Sequence, residues 1–289
     1  MTINGMPVWT IAFRSMLAFF CVVCVPLYSW SGVTNHDAPV YFDLDGCIAA
    51  LSQDHKGDSP AVTGDKALRL VSWNIEKGKN EGWLEELKKV AVGSDFVFLQ
   101  EAIFIDEMKQ PSNKEIFWSF SPGYKTERYS SGVMTLSRAK PDLVCSLASK
   151  EPWLRTPKMI SVVRLPDTPA GGGLLLINVH AVNFTLGLSA YRAQLKIIET
   201  LLSAYTYPVV VAGDMNTWSE ARESELKTLA QEHGLVPVTF DPDWRTQKFG
   251  RPLDHILIRG LLVEHSEVVS TATSDHNLLK ATISGDKGQ

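Results

Sequence analysis

The chain is 289 residues long, 45% apolar and 21% charged, an ordinary globular composition that fits one large domain or two small ones. Its formal net charge of −4 removes the basic field on which sequence-independent nucleic-acid binders rely. A hydrolase that recruits divalent cations carries part of its positive charge on the metal, so a phosphate-bearing substrate stays compatible with this balance.

Residues 1–30 differ from the rest. Ser15 to Trp30 carries no charge, and with Pro7 to Phe13 it approaches the roughly 20 residues a helix needs to cross a bilayer. Arg14 interrupts the run and Pro26 would kink it. A core helix would show a polar face, and this run shows none. Two readings follow: a secretory signal peptide cut near Ser29-Trp30-Ser31, or an uncleaved membrane anchor, which the poor small-x-small site favours. In both, a cation precedes the apolar run and Asp37, Asp43 and Asp45 follow it. The bulk of the chain is therefore expected to be exported, held by an inner-membrane anchor on the extracytoplasmic side or secreted. Cys21 and Cys24 share a CxxC spacing inside the run, without polar companions for zinc or redox work. Cys47 and Cys145 are the remaining cysteines, and an oxidising compartment predicts that they pair. The alternative is two unrelated buried thiols.

Residues 31–66, rich in Asp, Ser, Gly and Pro, read as a linker or stalk with a small docking element at Cys47–Leu51. A regular domain is expected over residues 67–285. Strand-like runs are predicted at Leu68–Ile75, Phe96–Leu99, Val133–Leu136, Ile160–Leu165, Leu174–Val179, Val209–Ala212, His255–Ile258, Leu262–Val269 and Leu278–Ile283. Several are nearly continuous Val, Ile and Leu, which suits strands buried on both faces. Helical periodicity marks Trp83–Val92, Ser189–Ala204 and Glu220–His233, the last with Ser219 as N-cap and Gly234 as C-cap. Strands interleaved with few helices predict an α/β fold, a four-layer α/β sandwich of two packed mixed sheets flanked by helices.

The polar residues are informative through their placement. The first run carries Asn74, and Phe96–Gln100 ends at Glu101. Leu174–Val179 ends at His180 with Asn183 beyond, and Val209–Gly213 ends at Asp214, then Asn216. Pro252-Leu253 leads into Asp254-His255, and Ser274-Asp275-His276 opens the last strand. One Asp or Asn after a strand is turn chemistry. Successive strand ends that all carry carboxylate, carboxamide or imidazole are poorly explained by independent turns, and strand termini hold sites accurately. Glu101 and Asp275 are hard oxygen ligands and Asn74 adds a neutral oxygen, a set for Mg²⁺, Mn²⁺ or Ca²⁺. Histidines beside carboxylates supply donors for a phosphate and a proton shuttle near neutral pH. Neither GxSxG nor GxxxxGK[ST] occurs, so direct attack by water is the economical chemistry.

These residues carry a resemblance. Val71-Ser72-Trp73-Asn74-Ile75-Glu76 resembles the first motif of the endonuclease/exonuclease/phosphatase superfamily, and Leu99-Gln100-Glu101 its LQE motif. Gly132-Val133-Met134-Thr135-Leu136-Ser137-Arg138 is similar to its central strand. Asn178-Val179-His180, Gly213-Asp214-Met215-Asn216, Leu253-Asp254-His255-Ile256-Leu257 and Ser274-Asp275-His276 resemble the remaining motifs, in the family's order. The resemblance implies that Asn74 and Glu101 hold the catalytic metal, with Asp275 completing the site or holding a second ion. It implies that Asp214 orients and deprotonates the attacking water, with Asn216 fixing the phosphate and Asp214 itself. His180 and His276 would stabilise charge on the phosphorus oxygens, with Asp254 holding the His276 imidazole. Asn183, Lys77, Arg138 and Lys158 are candidate phosphate contacts.

The first motif continues Lys77-Gly78-Lys79, and Asp254 is followed by His255 where abasic-site endonucleases usually carry Tyr. Together with export, those departures move the chain away from DNA repair and toward the family's loosely assigned bacterial branch, which includes extracellular nucleases and sphingomyelinase-like phospholipases. The leading expectation is a phosphodiesterase acting on nucleic acid or a phospholipid headgroup. The alternatives are a phosphomonoesterase on sugar, nucleotide or inositol phosphates, and an inactive scaffold. A membrane-active lipase would also need an exposed apolar hairpin, for which Trp153 with Leu154 and Phe184 with Leu186 are small candidates. No protein partner is evident; the substrate and, through residues 1–30, a membrane are the partners expected.

Overall fold

The structure, a computed structural model, describes residues 33–53, 67–109, 111, 115–152, 156–166, 173–183, 185 and 187–285. The apolar run expected as an anchor, and the apolar candidates Trp153, Leu154, Phe184 and Leu186, lie outside the described residues. Among the described residues no helix is long and apolar enough to cross a membrane.

Alternating and continuous apolar runs become two mixed seven-stranded sheets among the described residues. The first runs β1 (Val33–Thr34), β5 (Phe117–Lys125), β6 (Ser130–Ser137), β4 (Phe96–Ile103), β3 (Leu68–Asn74), β16 (Leu278–Gly285) and β15 (Leu261–Val269). The second runs β11 (Val236–Pro237), β14 (Asp254–Arg259), β10 (Val209–Asp214), β9 (Leu174–His180), β8 (Pro157–Leu165), β7 (Leu143–Lys150) and β2 (Val40–Tyr41). A small hairpin, β12 (Gln247–Lys248) with β13 (Arg251–Pro252), stands apart. β3 pairs β4, β9 pairs β10 and β2 pairs β7 in parallel.

Helices complete four layers. α2 (Trp83–Gly93) and the single turn α3 (Asp106–Lys109) lay Leu87, Ala91 and Met108 on the outer face of the first sheet, against Trp73, Leu99 and Met134. α1 (Leu44–Leu51), α4 (Ser189–Ala204) and α5 (Glu220–Glu232) cover the outer face of the second, where Ile198, Leu201 and Leu229 meet Ile177 and Val211. Ser219 caps α5 by accepting from the Arg222 amide, and Gly234 follows its end in the left-handed region, as the sequence predicts.

The layer between the sheets has a polarity gradient that positions the site. Side chains two apart share a face of a strand. Leu68 and Leu70 of β3 enter this layer, followed along the same face by Ser72 and Asn74. Leu174 and Leu176 of β9 lead likewise to Asn178 and His180, and Val210 and Ala212 of β10 to Asp214. Gln100 Nε2 donates across the layer to Asn178 Oδ1 (2.8 Å), and Asn178 Nδ2 donates to the Met134 carbonyl (3.0 Å). The sheets are therefore joined by apolar packing at one end and by hydrogen bonds between buried side chains and carbonyls beneath the other, where the polar strand ends converge.

Residues 33–53 differ from a free stalk. β1 extends the first sheet, β2 extends the second, and α1 buries Cys47, Ala50 and Leu51. The docking element expected at Cys47–Leu51 is the core-facing part of α1, whose N-cap Asp43 accepts from the Gly46 amide (2.7 Å). Cys47 and Cys145 form a disulfide between α1 and β7, with Cα atoms 5.9 Å apart and a sequence separation of 98. Both are fully buried. A loop of this length corresponds to about 4–5 kcal/mol in the chain-entropy account. The double variant Cys47→Ala/Cys145→Ala is accordingly expected to lose a few kcal/mol in denaturant unfolding. An unchanged midpoint would show that α1 docks without help from the bond.

Candidate active site

The convergent strand ends open into a cavity of about 440 Å³. It is lined by Asn74, Glu101, Lys158, His180, Asn183, Asp214, Asn216, Asp275 and His276, and Asp254 stands behind His276. The structure thus gathers every predicted site residue except Arg138. That side chain leaves the opposite end of β6, where Ser137 pairs Phe96 at the start of β4. It donates to the carbonyls of Ala91 (2.7 Å) and Glu115 (3.2 Å), so its expected phosphate contact is replaced by a tie between α2 and the segment before β5.

Backbone geometry aims several of these groups. β4 shifts register between Leu99 and Ala102, and Glu101 inside this bulge has φ +49°. Glu76 and Lys77, in the short 3₁₀ turn after β3, have φ +47° and +56°, and Asn216 after β10 has φ +49°. All four line the cavity. Non-glycine residues in this region are strained, and such strain collects at functional sites. Gly213, before Asp214, is required by close approach: a Cβ there would lie 2.0 Å from the Val179 carbonyl oxygen.

Asp214 is buried and accepts two hydrogen bonds, from the Asn216 amide (3.0 Å) and from Asn74 Nδ2 (3.2 Å). Burial raises its carboxyl to about 6, with Asp254 adding to the rise and His276 and Lys158 opposing it. His276 Nδ1 lies 2.7 Å from Asp254 Oδ2, leaving Nε2 for the cavity. Burial opposes its charge, yet Asp254 with Asp214 and Asp275 raises the imidazole to about 10, so it stands as an imidazolium at neutral pH. Ser274 Oγ accepts from the His276 amide (3.1 Å) and donates to the Asn74 carbonyl (2.6 Å), fixing this loop to the end of β3.

His180 reaches the cavity as expected, beside Lys158. Burial, then Lys158 and Lys77, hold it well below the usual imidazole range, so it is neutral. Its Nε2 lies 2.7 Å from Lys158 Nζ, a geometry in which the ammonium donates to the imidazole, and 3.6 Å from Asp214 Oδ2. Burial lowers the Lys158 ammonium as well, with Glu101 and Asp214 opposing that shift, so the two groups share this corner as a donor–acceptor pair. Lys77 pairs with Glu101. His255, next to Asp254, faces Thr217 Oγ1 (2.6 Å), and burial with Arg245 nearby lowers it to about 3, a structural role.

Among the described residues no group of three or more His, Cys, Asp and Glu side chains is drawn together around a shared metal position. The donor chemistry still suits a hard cation: the Glu101 and Asp275 carboxylates and the Asn74 carboxamide oxygen border one cavity, and Glu101 already attracts the Lys77 ammonium. A second cavity of about 460 Å³ shares Lys77, Glu101, Lys158 and His180 with the first and extends past Tyr124, Val133, Pro157 and Met159. Sequence reasoning did not anticipate that cavity, because β5, which supplies Tyr124, was not recognised as a strand.

Known proteins share this fold. The chain is similar in fold to an endonuclease/exonuclease/phosphatase family protein from Leptotrichia buccalis (TM-score 0.58, 16% identity, covering 74% of this chain and 98% of that one). It is also similar to the human Nocturnin catalytic domain (0.57, 18%, 76% and 95%) and to sphingomyelinase C from Streptomyces griseocarneus (0.51, 17%, 75% and 99%). The model of the Endonuclease/Exonuclease/phosphatase family matches residues 71–276, a span that holds every strand end contributing to the cavity. The chain belongs to the endonuclease/exonuclease/phosphatase family, whose members hydrolyse phosphoester bonds.

Proposed function

We propose that this protein hydrolyses phosphodiesters with the help of a divalent cation, Mg²⁺ or Mn²⁺ before Ca²⁺, by direct attack of water. The carrying observation is the pair of cavities meeting at Lys77, Glu101, Lys158 and His180. A phosphoryl group at that junction has room for a substituent on each side, which a diester needs and a monoester does not. Nucleic acid and phospholipid headgroups both satisfy this requirement.

Asn74, Glu101 and Asp275 would hold the cation, which when bound supplies positive charge beside the phosphoryl oxygens. Asp214, held by the Asn216 amide and Asn74, takes a proton from the attacking water. The His276 imidazolium, oriented by Asp254, offers Nε2 to a phosphoryl oxygen as negative charge develops there. Lys158 brings a second positive charge from the opposite wall. Every position that the inactive-scaffold reading would need to be lost is filled by a competent side chain.

The test compares bis(p-nitrophenyl) phosphate with p-nitrophenyl phosphate in Mg²⁺ and in Mn²⁺. The diester is expected to have the higher kcat/KM by at least about tenfold, roughly 1.4 kcal/mol of transition-state preference. A preference for the monoester would replace this reading by the phosphomonoesterase one. The exported location belongs to the same proposal: the apolar run before residue 31 and the Cys47–Cys145 disulfide support it. Either the domain is found in the culture medium, or protease added to spheroplasts with an intact inner membrane should degrade it; a cell-associated domain fully protected in spheroplasts would be cytoplasmic.

A further inference from the structure

Arg222, in the first turn of α5, is 1% exposed, and among the described residues it forms no ion pair. Burying a guanidinium is costly unless its donors are satisfied. Here they are met by neutral acceptors on two different loops. Nη1 donates to the carbonyls of Val182 (2.7 Å) and Asn216 (3.1 Å). Nη2 donates to the Asn183 carbonyl (2.9 Å) and to Thr185 Oγ1 (2.8 Å). Two aromatic rings also contact the guanidinium, with Cζ 4.6 Å from the centroid of Tyr191 and 4.7 Å from that of Trp218. Trp218 Nε1 in turn donates to Asn183 Oδ1 (3.0 Å).

The acceptors follow His180 on one loop and Asp214 on the other. Val182 and Asn183 come just after His180 at the end of β9, and Asn216 comes just after Asp214 at the end of β10. Asn216 is also the residue whose amide holds Asp214, and it does so from a left-handed backbone conformation that something must maintain. One planar fork thus joins the backbone of both loops, within residues of the groups that face each other across 3.6 Å, His180 Nε2 and Asp214 Oδ2.

We propose that Arg222 is a positioning residue of the catalytic centre, setting the separation of the His180 and Asp214 loops through its fork of hydrogen bonds and not through its charge. This rests on the phosphodiesterase reading for its effect on turnover, though not for its effect on the loops. A lysine offers a point charge and rotatable donors, and cannot span these acceptors in one plane.

The experiment uses the full chain with Arg222→Met and Arg222→Lys, read by hydrogen exchange and by steady-state kinetics on bis(p-nitrophenyl) phosphate. Amides in segments 180–183 and 214–218 are expected to exchange at least about tenfold faster in both variants, while those of β15 and β16 keep their rates. Turnover is expected to fall by about 10²-fold, the scale of a small misplacement of catalytic groups, with KM changed less than about threefold. If Arg222→Met does not fold, Arg222→Lys carries the test alone, since it keeps stem and charge. Wild-type exchange in both segments, or wild-type kcat in Arg222→Lys, would overturn the proposal. If the wild-type chain cleaves no diester, the functional reading fails while the exchange result still decides the structural claim.

Discussion

His276→Ala is expected to lower turnover at least about 10²-fold, and Asp214→Asn to do the same, with both proteins folded. The two side chains perform different tasks in one buried space. His276 is held charged by three carboxylates despite its burial, so alanine removes the imidazolium from the wall that faces the phosphoryl group. Asp214 must be ionised to take a proton, and asparagine cannot do so. Burial raises this carboxyl to about 6, so the active form is present above that value and is lost as the pH falls through it. Turnover should therefore have an acid limb. A cation bound beside Asn74 and Glu101 favours the ionised carboxylate, which moves the limb to lower pH as metal concentration rises. Asp254→Ala should do milder damage, because Asp254 touches His276 and not substrate. Near-normal kcat in His276→Ala or Asp214→Asn would remove the proposed roles.

Chelation is expected to have the other large effect: activity vanishes in EDTA and returns with excess Mg²⁺ or Mn²⁺. Glu101→Ala should fold normally, since Glu101 is partly exposed in a bulge and contributes no core contact, yet need far more metal for half-maximal activity. Loss of an outer partner already costs about 10–100-fold in metal affinity, so loss of a direct ligand should reach the top of that range or beyond. The variant also frees Lys77 from its carboxylate. Full hydrolysis in chelator would end the metal reading and leave Lys77 and Lys158 as the charge-neutralising groups.

What the sequence made legible follows the physics of each element. All nine predicted strands exist; eight of them bury continuous or alternating apolar side chains, while β15 is largely exposed and is held through its pairing with β16. The three predicted helices stand within a residue or so of their expected ends, since their apolar stripes are continuous. β5 and β7 escaped notice for a common reason. In β5, Trp118 and Phe120 face the helix layer while Ser119 and Ser121 face the other sheet; in β7, Leu143, Cys145 and Leu147 alternate with Ser146 in the same way. Their serines belong to the polar end of the inter-sheet layer, so a strand buried on both faces reads as a loop. Arg222 was invisible for a related reason: an arginine in the first turn of a helix looks like solvated surface until two loops are found wrapped around it. The site residues themselves were readable because strand termini carry them in order. Arg138 differs because it closes the central-strand motif, at the end of β6 that points away from the cavity.

The position of β16 sets where this protein can be cut. The family match ends at residue 276, on the last of the proposed catalytic side chains, and begins at residue 71, inside β3. β16 starts two residues later and lies between β3 and β15, pairing both. A fragment trimmed to the matched span would keep every proposed catalytic residue while removing an interior strand, leaving β15 without a neighbour among the described strands and exposing the hydrogen-bonding edge of β3. It would also lack α1, β1 and β2, and with them one half of the disulfide. Similarity ends where the shared chemistry ends, whereas cooperative folding requires the strand that closes the sheet behind it.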